Sequence, residues 1–346
     1  MRTMILGAGS LGTILGAYVA KSGQDVLLVD AYKEHVDALN KNGATVVGGV
    51  EMNVPVKACT PDEVEGKFDI VLYLTKAPAN EKALTQLLPH LKEDSVVCTL
   101  QNGLPEEAVA SYVGRERTIG GTVLWGGVLQ GPGVSKYTSN PEKVKEAAFE
   151  IGELDGKITE RTKKVKEVLD AVGNTTIITN LMGARWAKLF INATYSGLSA
   201  ALGISYGDIL DSEEIFRLSM YVGNEVLKTA QRNGITIVDD VQGFDVKKGE
   251  YDTETERLTK AYIYKGIFGI HRGVTASMLN DMRRGIFQTE IDQINGSVVR
   301  AAEKVGFPAP FNAKIVELVK RAQEKKEVPT VANLKEFDQL VKDVKY

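Results

Sequence analysis

The chain is poor in the residues that build metal centres and disulfide scaffolds. It holds two cysteines, Cys59 and Cys98, and three histidines in 346 residues, too few for a disulfide framework or a four-cysteine zinc site. Cys98 lies in the apolar run 95–100 and reads as a buried, inert thiol. Nor is there a surplus of one charge: 42 Lys+Arg against 45 Asp+Glu leave a formal −3. That gives no positive field to hold nucleic acid or an anionic membrane. Long apolar runs are missing too, since no window approaches the ~20 residues that cross a bilayer. The N-terminus enters a strand pattern at once, without the basic-then-apolar layout of an export signal. The expected setting is the cytoplasm, with neither a nucleic-acid nor a membrane partner.

What is present is an ordinary globular balance, 43% hydrophobic and 25% charged, over a length that suits two domains of ~150–170 residues. From residue 1 to about 180, short β-branched runs at 3–6, 25–29, 69–74 and 95–100 alternate with amphipathic stretches at 11–21, 33–42 and 80–91. That alternation predicts βαβ units and a parallel sheet covered on both faces. Residues 44–47 and 52–58, around Gly48-Gly49, read as an inserted hairpin. The runs 118–124, 133–138 and 146–153 are expected to complete the sheet in antiparallel fashion, with a helix at 160–171 and a strand at 175–179. Beyond 180 the texture turns helical, with apolar residues at three- and four-residue spacing over 181–201, 212–233, 276–284, 288–305 and 313–325. The polar stretch 235–273 reads as an insertion carrying a helix near 253–268, and a short C-terminal helix is expected after Val328-Pro329. The fold class is an α/β first domain over 1–180 and an all-helical second domain over 181–346.

Glycine is the residue in excess, 34 in all, against a norm of ~7%. The cluster Gly7-Ala8-Gly9-Ser10-Leu11-Gly12 follows a strand and opens a helix, the setting a dinucleotide-binding turn requires. Gly7 permits the tight turn, Gly9 lets backbone approach a pyrophosphate, and Gly12 lets helix pack on strand. The helix start offers N–H groups and a positive dipole end to the phosphates.

Asp30 ends the second strand, eighteen residues past Gly12. An acid there accepts from the adenosine ribose hydroxyls and repels a 2′-phosphate, which favours NAD(H). Lys33 nearby could compensate a phosphate, so NADP(H) stays possible; Asp30 could also simply cap the next helix. Lys76 and Asn102 each sit just past a strand's C-terminal end, the edge that faces ligands in open parallel sheets. Lys76 could bind a carboxylate or a cofactor group, and Asn102 a ribose or the substrate. Ordinary turn chemistry accounts for both positions equally well.

In the apolar helix 184–196, residues Lys188, Asn192 and Ser196 are spaced i, i+4, i+8 and predict an ammonium, an amide and a hydroxyl on one face. Such a stripe is costly on a covered helix unless partnered or lining a cleft. Further on come Ser277 and Glu290, the latter expected within a helix, one turn before Ile294 and the pair Asn295-Gly296.

These residues together resemble the ketopantoate reductase (2-dehydropantoate 2-reductase) family. The matching blocks are Gly7-Ala-Gly-Ser-Leu-Gly12, Lys76, Gln101-Asn-Gly103, Gly152-Glu-Leu-Asp-Gly156, Trp186-Ala-Lys188 with Asn192, Ser277-Met-Leu-Asn-Asp281 and Thr289-Glu-Ile-Asp-Gln-Ile-Asn-Gly296. The resemblance implies a Rossmann dinucleotide-binding domain, a helical substrate and dimerisation domain, and a homodimer. It implies NAD(P)H-dependent reduction of a 2-oxo acid, ketopantoate to pantoate in pantothenate and coenzyme A biosynthesis. Lys188 would be the general acid and Glu290 would lie beside the reacting oxygen. Lys76 and Asn102 would lie where cofactor and substrate meet, and Asn192 and Ser277 would contact the substrate. No metal is required.

Several positions depart from the family pattern. Ser196 stands where a second asparagine is common, Asp30 where NADP-using members carry a basic or neutral residue, and Gly131–Lys136 lacks a histidine often found there. The segment 235–273 is also longer than usual. A D-2-hydroxyacid dehydrogenase of the same fold, acting on other branched or aromatic 2-oxo acids, is the alternative. A non-catalytic nucleotide-sensing protein is more remote, because both Lys188 and Glu290 are present.

Overall fold

The computed structural model describes residues 1–238 and 245–345. The chain divides into two units, Met1–Gln101 with Pro105–Leu181, and Asn102–Leu104 with Met182–Tyr346. In the first, the strands are β1 (Arg2–Leu6), β2 (Asp25–Val29), β3 (Ala44–Gly48), β4 (Met52–Val54), β5 (Lys57–Cys59), β6 (Phe68–Tyr73), β7 (Leu91–Thr99), β8 (Thr118–Val123), β9 (Gly127–Gly131), β10 (Val134–Tyr137), β11 (Phe149–Glu153) and β12 (Thr175–Ile177). Its helices are α1 (Ser10–Lys21), α2 (Lys33–Asn42), α3 (Asn80–Leu87), α4 (Glu106–Val113), α5 (Pro141–Glu146) and α6 (Glu160–Leu169).

Eight strands form one sheet in the order β12-β11-β8-β7-β6-β1-β2-β5. From β5 to β8 the neighbours run parallel. The strand after β1 in sequence lies on one side of it and β6 on the other, so the order reverses at the C-terminal end of β1, where the glycine cluster begins. β1 is central and covered on both faces, and its Thr3–Leu6 are all buried. Met4, Ile5 and Leu6 each contribute roughly 1.5–3 kcal/mol by leaving water. On α1, Gly16 brings the helix down onto β2: a Cβ there would stand 2.6 Å from Leu28 Cδ2.

The edge of the sheet corrects the expected antiparallel completion. β8 is parallel to β7, and only β11 reverses, against β8, before β12 pairs parallel to it. Residues 133–138 leave the main sheet: β10 joins a four-stranded sheet of order β4-β3-β10-β9. The expected hairpin is divided, with β3 and β4 antiparallel in this small sheet and β5 on the edge of the large one. Composition marks a run as a strand but does not choose which free backbone edge it joins. β9 escapes prediction because its side chains are not alternately buried. Its Gly127 serves close packing instead, since a Cβ there would meet Ile14 Cδ1 at 2.6 Å. α5 was likewise not expected; it opens on Pro141 after Asn140, whose side chain accepts from Glu142 N.

The second unit contains α7 (Leu181–Ile191, whose first residue counts with the first unit), α8 (Gly197–Leu202), α9 (Tyr206–Asp211), α10 (Glu213–Arg232), α11 (Glu254–Gly269), α12 (Ser277–Arg283), α13 (Asn295–Lys304), α14 (Pro310–Lys325) and α15 (Asp338–Asp343). Between α7 and α8 the chain winds one wider turn of π-helix over Asn192–Ser196. Aromatic rings fill the core: Tyr195 stacks on Phe268 with centroids 3.6 Å apart, and Phe190 meets Tyr264 edge-on at 5.5 Å. Of the segment 235–273, residues 239–244 lie outside the described residues. The helix expected near 253–268 is α11, opened by Thr253 and Glu256 in a reciprocal cap.

One expected helix is much shorter than predicted. Residues 288–294 are irregular, with a turn only over 291–294, and α13 starts at Asn295, so Glu290 is not helical. Ile294, with ψ −94°, breaks the helical path. The Asn295 side chain turns inward to buried acceptors, a demand that apolar spacing does not reveal.

Glu225 of α10 is buried at the first turn of α14. It accepts from Phe311 N and Asn312 N at 2.9 Å each, and from Asn312 Nδ2 at 2.7 Å. Burial outweighs these bonds and pushes its carboxyl from 4.5 up to about 7. Between those values the folded chain holds a proton that the unfolded chain releases, so stability falls as pH rises through the window and is level above it. Urea unfolding from pH 5 to 8 is expected to show wild type losing on the order of 1–3 kcal/mol relative to Glu225→Gln. Parallel curves for the two proteins would remove Glu225 as the source.

Candidate functional site

The glycine cluster forms the turn between β1 and α1. Gly7 has φ +99°, and a Cβ on it would strike Thr75 N at 2.6 Å. At Gly12 a Cβ would lie 2.2 Å from Gly7 O, so only glycine lets the first turn of α1 fold back on the loop. At Gly9 nothing stands within 4 Å of a Cβ position, leaving backbone open to approach. Ala8 is buried, while Ser10 and Leu11 are partly exposed at the helix start. Gly9 provides no side-chain cap for α1, which leaves the first-turn N–H groups for an anion. These features fit the pyrophosphate of a dinucleotide.

Asp30 is half-buried just past β2. Its Oδ1 accepts from Tyr32 N at 2.9 Å, a local turn, and the helix that follows has no side-chain cap. Lys33 is held among acids, 2.7 Å from Asp37 and 3.8 Å from Glu63. Lys76 is exposed beyond β6. The loop that carries it is secured by Gln101, whose Nε2 donates to Thr75 O and Asn80 Oδ1 at 2.7 Å each, while Tyr73 OH donates to the same Asn80 oxygen at 2.8 Å. The sequence gives Gln101 a place in a motif but no role, because its burial behind the loop depends on distant residues.

Asn102, the next residue, belongs to the second unit. Its Nδ2 donates to Glu290 Oε2 at 3.3 Å, bringing together two candidate residues 188 positions apart. Gly103 makes this approach possible: with φ +80°, a Cβ on it would stand 2.1 Å from Gln293 O in the same segment as Glu290. Lys188 and Asn192 are both half-buried, one turn apart, with Lys188 on α7 and Asn192 opening the π-helical turn.

The three-residue polar stripe does not continue as a regular helix would carry it. Within the π turn Gly197 N donates to Asn192 O, five residues back, which rotates later residues relative to an α-helix. Ser196 is buried, and its Oγ lies 2.6 Å from Tyr206 OH. Ser277 is exposed at the first position of α12. Asn295 is assigned no role by the sequence. It is fully buried, its Nδ2 donating to Ala193 O at 3.0 Å inside the π turn and to Asn312 Oδ1 at 2.9 Å. Among the described residues no three His, Cys, Asp or Glu side chains are grouped to hold a metal, and no helix is long and apolar enough to cross a membrane.

Known proteins match the chain over most of its length. The ketopantoate reductase PanE/ApbA family matches residues 3–154, and its C-terminal counterpart matches residues 180–323. The 2-dehydropantoate 2-reductase of Pyrococcus horikoshii is 31% identical over 322 residues, covering 92% of this chain and 97% of that protein. That of Streptococcus pyogenes serotype M1 is 26% identical over 321 residues, with the same coverage. Among solved structures, a PanE/ApbA family ketopantoate reductase from Ralstonia eutropha JMP134 superposes with TM-score 0.79 at 25% identity, over 94% of this chain and 99% of that one. D-mandelate dehydrogenase with NADH and anilino(oxo)acetate does so with TM-score 0.78 at 26% identity, over 95% and 100%. With both family halves matched in order, a Rossmann-type first unit and a helical second one, the chain belongs to the ketopantoate reductase PanE/ApbA family, a family of nicotinamide-dependent oxidoreductases.

Proposed function

We propose that the protein reduces 2-dehydropantoate to pantoate, with NADH as the preferred reductant. The observation that carries the reading is the Asn102–Glu290 bond of 3.3 Å, because it sets an amide and a carboxylate side by side in the unit that also holds Lys188. The first unit holds the dinucleotide at Gly7–Gly12, with Asp30 on the adenosine ribose. The reduced nicotinamide, when bound, supplies the hydride that reaches C2 of the oxo acid.

As that carbon is reduced, negative charge builds on the carbonyl oxygen. The Lys188 ammonium stabilises this charge and gives its proton to the oxygen, an effect typically worth ~10²–10⁴-fold in rate. Glu290 orients the ammonium and accepts from the new hydroxyl, while Asn102 holds the Glu290 carboxylate from the other side. Asn192 and Ser277 orient the substrate, and Lys76 meets its carboxylate or the cofactor. Asp30 disfavours a 2′-phosphate, and the engagement of Lys33 with Asp37 and Glu63 supports this preference, because that ammonium is already balanced by acids. The homodimer and the cytoplasmic setting belong to the same proposal.

A second reading, a D-2-hydroxyacid dehydrogenase for aromatic or branched 2-oxo acids, is favoured by one observation. The Ser196 hydroxyl is taken up by Tyr206 at 2.6 Å, so the position where the family commonly offers an asparagine amide is not open for a polar substrate group.

Steady-state rates with ketopantoate, 2-oxoisovalerate and phenylglyoxylate separate the two readings; ketopantoate is expected to give the highest kcat/KM, and a higher value for phenylglyoxylate would transfer the assignment. With the best substrate, NADH should exceed NADPH in kcat/KM, and Asp30→Ala should narrow the ratio by about tenfold, the weight of roughly one charged hydrogen bond. Lys188→Ala is expected to lower kcat by at least ~10²-fold while NADH binding, followed by its fluorescence, stays unchanged. Undiminished turnover would remove Lys188 from the acid role. Gly103→Ala should cut kcat/KM by about tenfold or more and lower the melting temperature by several degrees, since a positive φ and a backbone clash together cost on the order of 1–3 kcal/mol. Wild-type activity in that variant would show that the Asn102–Glu290 spacing is not needed.

A further inference from the structure

His35 is one of only three histidines, and nothing in the reaction above uses it. It sits on α2 and is 1% exposed, directly behind the glycine turn. Its Nε2 lies 2.8 Å from Ala8 O and 3.1 Å from Thr13 Oγ1, and Thr13 Oγ1 itself donates to Ala8 O at 2.7 Å. On the other side of the ring, Gly133 N donates to Nδ1 at 2.9 Å. A nitrogen that accepts an N–H carries no proton, so the ring proton is on Nε2 and points at the Ala8 carbonyl.

The two polar contacts have a geometric consequence for the turn. In a trans peptide the C=O and the following N–H point in opposite directions, and the chain has no cis peptide bonds among its described residues. Holding Ala8 O toward His35 and Thr13 therefore turns Gly9 N–H away from them, and the space around Gly9 is open, with nothing within 4 Å of a Cβ position. That N–H is one of the donors a pyrophosphate needs, and its direction would otherwise be free, because a glycine turn has little stiffness of its own.

The small sheet fixes the histidine in turn. Gly133 lies in the turn between β9 and β10 with φ +75°, and a Cβ there would stand 3.2 Å from Ala38 Cβ on α2. Its carbonyl accepts from Thr45 N of β3 at 2.9 Å, so the residue that donates to His35 is held through both of its backbone polar groups. The ring of Tyr32 lies parallel to the imidazole, with centroids 6.2 Å apart and planes at 8°.

We propose that His35, locked in its Nε2–H form by Gly133, is a positioning residue for the cofactor: with Thr13 it pins the Ala8–Gly9 peptide so that the Gly9 N–H faces the dinucleotide pyrophosphate. This rests on the cofactor reading given above and adds to it a role for the four-stranded sheet, which supplies the Gly133 donor. His35 acts through the loop and touches no reacting atom, so its removal weakens cofactor binding without slowing the chemical step.

The test is binding of NADH by fluorescence together with steady-state kinetics. His35→Phe is expected to raise the Kd and KM for NADH about tenfold, the weight of one net hydrogen bond. The kcat at saturating NADH and the KM for the oxo acid should stay within about twofold. His35→Gln, whose amide N–H can reach the place of Nε2–H, should recover most of the affinity, and Thr13→Val should lose part of it. A folded His35→Phe with wild-type Kd would overturn the proposal, as would a loss shared equally between kcat and KM. Should His35→Phe fail to fold, the imidazole nitrogen shifts of the wild-type protein decide: an Nε2–H tautomer is expected, and an Nδ1–H tautomer overturns the assignment. Wild-type protein that bound neither NADH nor NADPH would sink the cofactor reading itself, and this inference with it. Equal binding by wild type and variants would sink only this inference.

Discussion

A single carbonyl oxygen ties together the segments of the helical unit that carry the candidate residues. The π turn at Asn192–Ser196 departs from α-helical winding, and its buried Ala193 O accepts a side-chain hydrogen bond from another segment, an interaction worth on the order of 0.5–1.5 kcal/mol. Asn295 supplies the donor at 3.0 Å. Because Asn295 opens α13 just after the turn bearing Glu290, satisfying that oxygen also fixes the acid segment against the helix of Lys188 and Asn192. The demand passes onward, since Asn295 also donates to Asn312, and Asn312 with Phe311 donates to the buried Glu225. Gly197 is the small residue that admits this network: a Cβ on it would lie 2.3 Å from Asn295 Oδ1.

The first unit meets a different constraint, the close approach of backbones. Gly7, Gly12 and Gly16 each stand where a Cβ would collide with backbone or a packed side chain. Gly7 and Gly12 sit at the switch point of the sheet, where the chain leaves β1 and turns into α1, and Gly16 lies further along that helix, over β2. A loop made this permissive needs something else to orient its peptides. Gln101 does so for the loop after β6, and His35 with Thr13 for the turn after β1. In both places a buried polar side chain, contributed by a neighbouring element, carries the precision that the loop sequence lacks.

Much of the local structure is legible in the residues. β2 and α2 fall at the predicted boundaries, and β1, β6 and α1 within a residue or two, because they are bounded by turn chemistry and have a single dominant period. The glycine cluster is likewise legible, since its strand–turn–helix setting is local. The same reasoning fails where a residue answers to a distant partner. It extends a helix through Glu290 on the strength of Ile291 and Ile294, and it places Ser196 on a stripe that assumes α-helical winding throughout. It passes over Gln101, Asn295 and His35, each an unremarkable polar residue until its buried partners are known.

What the sequence alone determined, then, is the alternation that yields an α/β unit followed by helices, the glycine-rich turn between strand and helix, and the presence of residue types able to polarise and protonate a carbonyl. These rest on spacing, backbone conformational freedom and charge, which are properties of neighbours along the chain. Tertiary structure alone decided which sheet each late strand joined, where the lysine helix widened into a π turn, and which polar side chains were drawn inside to bond buried backbone groups. Those outcomes depend on edges and lone pairs contributed by segments tens to hundreds of residues away, and a buried polar atom accepts whichever partner the packing brings to it.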